Sequence, residues 1–245
     1  MKTRMLVAAI AVLALPAAAE DMTYSDCVAM VSRNARTAEE RARAWQTHGG
    51  GAAAMHCNAL ALTALGRYAD AARVLDALSR NREFSTSEQA DLAAQAGNAW
   101  LLAGKGGEAV QSFSVALATK PNDVSTLADR ARARALMKDW GGADADLGAA
   151  LVQDQNRADL LVLRSSARWA MGRKADAATD IVRALELFSD YPPALVERGK
   201  MKYSAGDIAG ARRDWKKAAA SGNGQAALDA KGYLSDLDAE TKVPH

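Results

Sequence analysis

The chain has 245 residues, with 31 Lys and Arg against 29 Asp and Glu and a formal net charge of +2 at pH 7. This near balance excludes a uniform electrostatic attraction to nucleic acid or anionic lipid, so neither is expected as a partner. Abundant alanine and only 5 prolines favour a mainly helical chain.

The segment 1–19 has the pattern of a secretory signal peptide. Lys2 and Arg4 precede the apolar run Met5–Leu15, which is too short to span a bilayer comfortably, and Ala17–Ala19 suit a cleavage site. An uncleaved membrane anchor is the alternative interpretation. Cleavage would remove both of these cations and leave basic and acidic residues in equal number. We therefore expect an exported protein, in the periplasm of a Gram-negative bacterium, with no membrane insertion of the mature chain.

The segment 20–51 is predicted to form N-terminal capping helices, and the two cysteines of the chain are Cys27 and Cys57. In an exported protein an even pair favours a disulfide. Two buried free thiols are one alternative. A metal site that includes the neighbouring His56 is another, but no CxxC or HExxH spacing supports it, so no metal is predicted.

The middle of the chain repeats itself at a fixed period. Ala143 follows Ala109 at the same interval at which Ala177 follows Ala143. A glycine-rich break recurs at this period, and apolar residues recur at helical spacing on both sides of it. Each repeat is therefore predicted to be a pair of helices, and a fixed period of this size indicates a stacked array. The small column is Ala71, Ala109, Ala143, Ala177 and Ala211, and the bulky column is Leu75, Phe113, Leu147, Ile181 and Trp215.

These columns resemble the tetratricopeptide repeat, a helix–turn–helix unit with the same period. The resemblance covers about residues 52–223 in five repeats. It implies an all-α, right-handed helix–turn–helix solenoid with an N-terminal half-unit and, in residues 224–245, a C-terminal capping helix and tail. The first step, from Ala71 to Ala109, is longer than the later ones and predicts an insertion near Phe84–Ser87. Only the second repeat ends in the proline typical of the family, Pro121.

Three arginines and three aspartates recur with the repeats, each aspartate at the same sequence offset after its arginine. In the first two repeats both positions lose their charge together. This joint presence and absence predicts structural ion pairs between the two helices of a repeat, because charges at a semi-buried seam need partners. A basic ladder for a ligand is the alternative. The predicted pairs are Arg130 with Asp146, Arg164 with Asp180 and Arg198 with Asp214.

Two neighbouring columns line the concave groove in the resembled family. One contains Trp169 and Tyr203, and aromatic residues beside cations suit an extended peptide that carries a carboxylate. Trp169 filling a packing gap is the alternative. The family's two-carboxylate clamp is not supported, because Ala94, Ser125 and Asp159 stand where lysine would help. The candidate groove residues are Asn98, Arg132, Ser166, Trp169, Lys200 and Tyr203.

The motifs of common enzyme classes do not occur in this sequence. It has no phosphate-binding loop, no dinucleotide-binding glycine motif and no nucleophile elbow, and it has 3 histidines. We therefore expect neither an enzyme nor a cofactor. The predicted function is a protein–protein interaction module that binds a protein or extended peptide in the groove. The alternatives are a self-associating or structural array without a separate ligand, and a metal-handling envelope protein that uses His56, Cys57 and Cys27.

Overall fold

The computed structural model describes residues 22–240, and all regular secondary structure in this range is α-helical. The predicted signal peptide and the end of the chain after Glu240 lie outside the described part. Within that part, no helix is both long and apolar enough to cross a membrane. The chain divides into two compact units, with the boundary between Leu65 and Gly66.

Unit 1 contains α1 (Tyr24–Arg33), α2 (Ala35–Thr47) and α3 (Gly51–Ala64), and each of these helices packs against the other two. Thr23 caps α1 by a capping box, in which Thr23 and Asp26 each accept a hydrogen bond from the other's backbone N–H. Asn34 ends α1 and caps α2 by accepting from the N–H of Thr37.

The start of unit 1 differs from the sequence-based expectation in its boundaries. The segment 20–51 was predicted to form the capping helices, yet its last residue, Gly51, is the first residue of α3. Within the segment, α2 begins at Ala35 because Asn34 supplies the cap. The predicted half-unit is a complete helix pair, α1 and α2.

Unit 2 contains ten helices within the described residues, and each helix packs against the next one in the chain. In addition, α5 contacts α7, α9 contacts α11, and α11 contacts α13. The first helices of successive repeats, α5, α7, α9 and α11, therefore form one layer, here called the inner layer. The second helices, α6, α8, α10 and α12, form the outer layer. The bounds are α4 (Tyr68–Leu78), α5 (Thr86–Leu102), α6 (Gly106–Thr119), α7 (Val124–Leu136), α8 (Trp140–Gln153), α9 (Ala158–Ala170), α10 (Lys174–Leu187), α11 (Pro192–Ser204), α12 (Ile208–Ala219) and α13 (Gln225–Glu240).

The insertion in the first, longer step lengthens α5. This helix has 17 residues, whereas α7 and α9 have 13 residues each. Its N-terminus is fixed by a capping box between Ser85 and Glu88. The insertion expected near Phe84–Ser87 is thus accommodated by a longer α5 together with a connection, residues 79–85, that is longer than the connections 120–123 and 154–157 between the later repeats.

Small residues of the inner layer contact large residues of the outer layer, as the columns predicted. The ring of Phe113 is fully buried against the backbone of α5, and a Cβ atom at Gly97 would lie 2.6 Å from it. Trp215 occupies the same relation to Gly199 on α11. Packing of this density needs glycine at both places, because any side chain would displace the aromatic ring.

Candidate functional site

The three Arg–Asp pairs join the two helices of a repeat. In each pair two guanidinium nitrogens bond both carboxylate oxygens, at 2.6 to 3.0 Å. The carboxylates are 2 to 5% exposed. A buried bidentate pair holds helices together and offers a ligand little surface, which favours the structural interpretation. The pairs are Arg130–Asp146, Arg164–Asp180 and Arg198–Asp214.

Each of these aspartates also bonds a second cation that sequence reasoning missed. Arg134 lies 3.1 Å from Asp146, and Arg168 lies 2.9 Å from Asp180. In the last repeat Lys202 is 2.8 Å from Asp214. The signal was present in the sequence: these cations recur with the same period, one helical turn after the paired arginine on the same helix face. Each of these buried carboxylates therefore faces two cations, and in the middle repeat the second cation, Arg168, also bonds Asp144 at 2.7 Å.

The last cluster shows how burial and bonding compete at the carboxylate. Burial of Asp214 opposes its ionisation and by itself would raise its pKa. The hydrogen bonds and positive charges of Arg198 and Lys202 outweigh burial, so the pKa of Asp214 is lowered. The carboxylate is thus stabilised in its charged form, as a structural ion pair requires.

In the α4–α6 part of unit 2, the carboxylate of Asp76 accepts hydrogen bonds from neutral donors. The indole N–H of Trp100 donates to Asp76 at 2.7 Å, and the Ser112 hydroxyl donates to the other carboxylate oxygen at 2.8 Å. Trp100 occupies the sequence position that Arg134, Arg168 and Lys202 occupy in the later repeats. It is buried, and the guanidinium carbon of Arg73 lies 5.9 Å from its ring centroid.

A cavity of about 180 Å³ opens between α7 and α9, with α8 as its floor. Leu147, Leu163 and Trp140 supply apolar surface, and alanines on α7 and α9 leave the space unfilled. Two of the predicted groove residues, Arg132 and Ser166, line it. The volume resembles that of engineered apolar cavities of ~150 Å³ that bind benzene. An aliphatic or small aromatic side chain therefore fits in it.

The two predicted groove cations are paired within their own helices. Arg132 donates to Asp129 at 2.5 Å, and Lys200 contacts both carboxylate oxygens of Glu197 at 2.9 and 3.0 Å. Both acids precede the cation by about one helical turn, so they lie on the same helix face. The inner layer is therefore less basic than expected, although both cations are more exposed than their partners.

The predicted groove aromatics are partly covered. Trp169 is half-buried, and the Lys174 ammonium lies 5.2 Å from its ring centroid. The ring of Tyr203 lies 5.8 Å from that of the buried Trp215. Asn98 is exposed on α5. Both interpretations of Trp169, as a groove residue and as packing, stay open.

Exposed apolar side chains lie at the ends of α5 and α7, next to the candidate groove residues. Leu102, Leu136 and Met137 are 60, 52 and 55% exposed. Leu102 and Leu136 occupy the same position of successive repeats, and each directly follows a residue of the groove column. This regular spacing in the sequence places both side chains near the groove. They add an apolar edge to the same layer that holds the cavity.

In unit 1 the structure pairs Cys27 with Cys57, with Cα atoms 6.1 Å apart and both side chains fully buried. This separation lies within the usual disulfide range. His56 accepts or donates a hydrogen bond with the Tyr24 hydroxyl at 2.7 Å. Among the described residues, no group of three or more His, Cys, Asp or Glu side chains is placed to hold a metal ion.

No protein-family model and no curated protein matches the chain significantly. Solved structures do. The structure of YrrB has a TM-score of 0.61 at 16% identity, over 74% of this chain and 92% of that one. A tetratricopeptide repeat protein from Parabacteroides merdae has a TM-score of 0.59 at 17% identity, over 85% and 83%. MamA from Desulfovibrio magneticus has a TM-score of 0.59 at 16% identity, over 69% and 94%.

These neighbours define the class of protein by its fold. The chain has the tetratricopeptide-repeat fold, and its all-α helix–turn–helix architecture confirms the fold class that the recurring columns predicted. At such low identities the likeness concerns the fold alone.

Proposed function

We propose that the protein is an interaction module that binds an extended segment of another protein along the inner layer of unit 2. The observation that carries this proposal is the cavity between α7 and α9, which Arg132 and Ser166 line. An apolar cavity with a few polar groups at its wall is the usual form of a site that anchors one side chain. The exposed Leu102 and Leu136 extend the apolar surface beyond it.

The chemistry of the layer specifies the segment. The cavity suits one apolar side chain of the ligand. Arg132 uses one nitrogen on Asp129, and a guanidinium has five N–H donors, so it retains donors for a carboxylate or carbonyl of the ligand. Lys200 and Tyr203 lie farther along the layer, on α11. The ligand is therefore an extended peptide with an apolar residue next to an acidic one.

The similar structure of YrrB is described as a tetratricopeptide-repeat protein with an unusual peptide-binding site. That description supports peptide binding as a use of this fold. It does not select the residues, which are proposed here from the cavity and the charges around it.

The proposal includes export to the periplasm. Its support is the signal-like sequence of residues 1–19 and the cysteine pair, because disulfides persist in oxidising compartments. Fractionation of cells that express the full chain tests it: the protein should appear in the periplasmic fraction with its N-terminus at Glu20. Retention in the cytoplasm with residues 1–19 intact would contradict export.

Peptide selection on the purified mature chain tests the binding site. Displayed peptides with an apolar residue beside an acidic one should be enriched. Ala135→Phe, which fills the cavity from α7, should weaken their binding by at least about 30-fold, as loss of an anchor pocket costs roughly 2 kcal/mol. Trp169→Ala should weaken it similarly if that side chain belongs to the groove. Binding is measured by calorimetry, and helicity by circular dichroism.

The matched control is Ala209→Phe, the same substitution at an exposed alanine of α12. It should leave the affinity unchanged. Equal affinity for the folded Ala135→Phe protein would move the site away from the cavity, and failure to enrich any peptide would contradict the proposed function.

A further inference from the structure

The outer surface of α8, a helix that lies wholly within the described residues, carries no charge. Its exposed positions are Gly141, Ala145, Ala149, Val152 and Gln153, in a chain of which 24% of the residues are charged. The two acids of this helix are engaged elsewhere: Asp146 is buried, and Asp144 bonds arginines of the next repeat. An exposed helix surface without charge is unusual and indicates that something covers it.

The neighbouring helices extend this surface. Val115 on α6, Val152 on α8 and Val182 on α10 are 54, 72 and 54% exposed. A notch of about 280 Å³ lies between α8 and α10. It is lined by Gly148, Leu151, Val152, Gln155, Leu161, Arg164 and Arg183. Space beside Gly148 is open, since a Cβ atom there would meet nothing within 4 Å. The outer face is defined here as Val115, Gly148, Ala149, Val152, Val182, Arg183 and Glu186.

We propose that the outer face is a homodimer interface and that its occupant is the same face of a second copy. A two-fold interface requires a surface that is complementary to itself. Apolar side chains and small residues meet this requirement, because the valines of one copy can enter the notch beside Gly148 of the other. Small residues also allow the helices to approach closely.

The charges of the outer face argue for a second copy over a foreign partner. Arg183 and Glu186 are exposed on one side of α10, about one turn apart, and bond each other at 3.2 Å. When two α10 helices meet antiparallel about a two-fold axis, Arg183 of each copy lies opposite Glu186 of the other copy. The charged pair of the outer face is thus self-complementary. A uniformly acidic or basic partner would meet one like charge.

This interface is independent of the proposed peptide site. The outer face belongs to α6, α8 and α10, whereas the peptide site lies on α7, α9 and α11. Dimerisation is read from molecular mass, and peptide binding from calorimetry, so failure of either proposal leaves the other testable.

The first experiment measures the mass of the purified mature chain by sedimentation equilibrium over a wide range of concentration. The wild-type chain should dimerise reversibly. Val152→Asp should raise the dimer dissociation constant at least about 30-fold, because it places a charge at the centre of the buried surface. The matched control is Leu228→Asp, at a half-exposed leucine on α13, which should dimerise like the wild type.

A charge exchange identifies the occupant as a second copy. Arg183→Glu makes both positions acidic, and Glu186→Arg makes both basic, so each variant alone should dimerise more weakly than the wild type. Mixing the two variants should restore a heterodimer, visible by native mass spectrometry. A wild-type chain that is monomeric at every concentration would overturn the proposal. So would a dimer that Val152→Asp leaves unchanged, or a mixture that forms no heterodimer.

Discussion

Unit 1 and unit 2 are stabilised by different physical means. In the described residues of unit 1 there are three helices, and a core cluster of Cys27, Ala42 and Cys57 includes both cysteines. In unit 2 a hydrophobic cluster continues from Leu117 to Leu237, and a buried ion pair joins the two helices of each of the last three repeats. A small unit buries too little apolar surface to be stable without a covalent or metal link, whereas each repeat of an array adds core to the next.

The same contrast occurs inside unit 2. The carboxylate of Asp76 is satisfied by an indole N–H and a hydroxyl, which carry no charge. The carboxylate of Asp180 faces two guanidinium groups. Both solutions satisfy the carboxylate, which is half-buried at Asp76 and buried at Asp180, but only the second leaves charges in excess when the acid is removed. The three tests below separate these means of stabilisation.

Removal of Asp180 should have the largest effect on unit 2. Asp180→Ala leaves Arg164 without its carboxylate, although Arg168 keeps its bond to Asp144. Loss of one member of a buried ion pair costs about 3–5 kcal/mol of unfolding free energy. Arg164→Ala should cost less, because Arg168 stays on Asp180. The measurement is urea unfolding followed by circular dichroism.

The control for this test is Asp236→Ala, on the exposed surface of α13. A loss from Asp180→Ala no larger than that of the control would contradict the cluster. A double-mutant cycle of Arg164→Leu and Asp180→Leu should also give a coupling energy, and additive losses would reject the pairing.

Loss of the cysteine link should have the next largest effect, and in unit 1. The link spans a sequence separation of 30 residues. Constraining a loop of this length stabilises by roughly 3–4 kcal/mol in the entropic model. The Cys27→Ala, Cys57→Ala protein should therefore lose hydrogen-exchange protection in α1–α3 more than in α9 and α10.

Thiol titration checks the link directly. The exported protein, unfolded without reductant, should show no free thiol. Two reactive thiols would return the cysteines to the alternative of a buried reduced pair.

Acid should have the smallest effect. The pKa of Asp214 is lower in the folded chain than its unfolded value of about 3.9. Its contribution to stability is therefore present above about pH 4 and is lost as the pH falls through the folded pKa, with a slope below about 1.4 kcal/mol per pH unit. Between about pH 5 and about pH 3, wild type should lose more unfolding free energy than Asp214→Asn. Equal losses would show that the carboxylate is not stabilised in its charged form.

The regular spacing of the repeats by itself determined the helix pairs, the small and large columns and the partners of the recurrent arginines. These features are local to one repeat, so the helical period decides which side chains face each other. The number of cysteines and the expected compartment predicted that Cys27 pairs with Cys57. That the pair is oxidised to a disulfide stays a prediction.

Only the tertiary structure decided which groups meet across repeats. Arg168 bonds Asp144 of the preceding repeat, Trp100 bonds Asp76, and the alanines of α7 and α9 leave a cavity. In the tertiary structure Asp129 pairs with Arg132 and Glu197 pairs with Lys200, so the charges of both groove cations are neutralised. A column of residues specifies the buried face of each helix, but contacts and spaces between repeats depend on the sizes of side chains from several helices at once. That packing is settled only when the whole array is assembled.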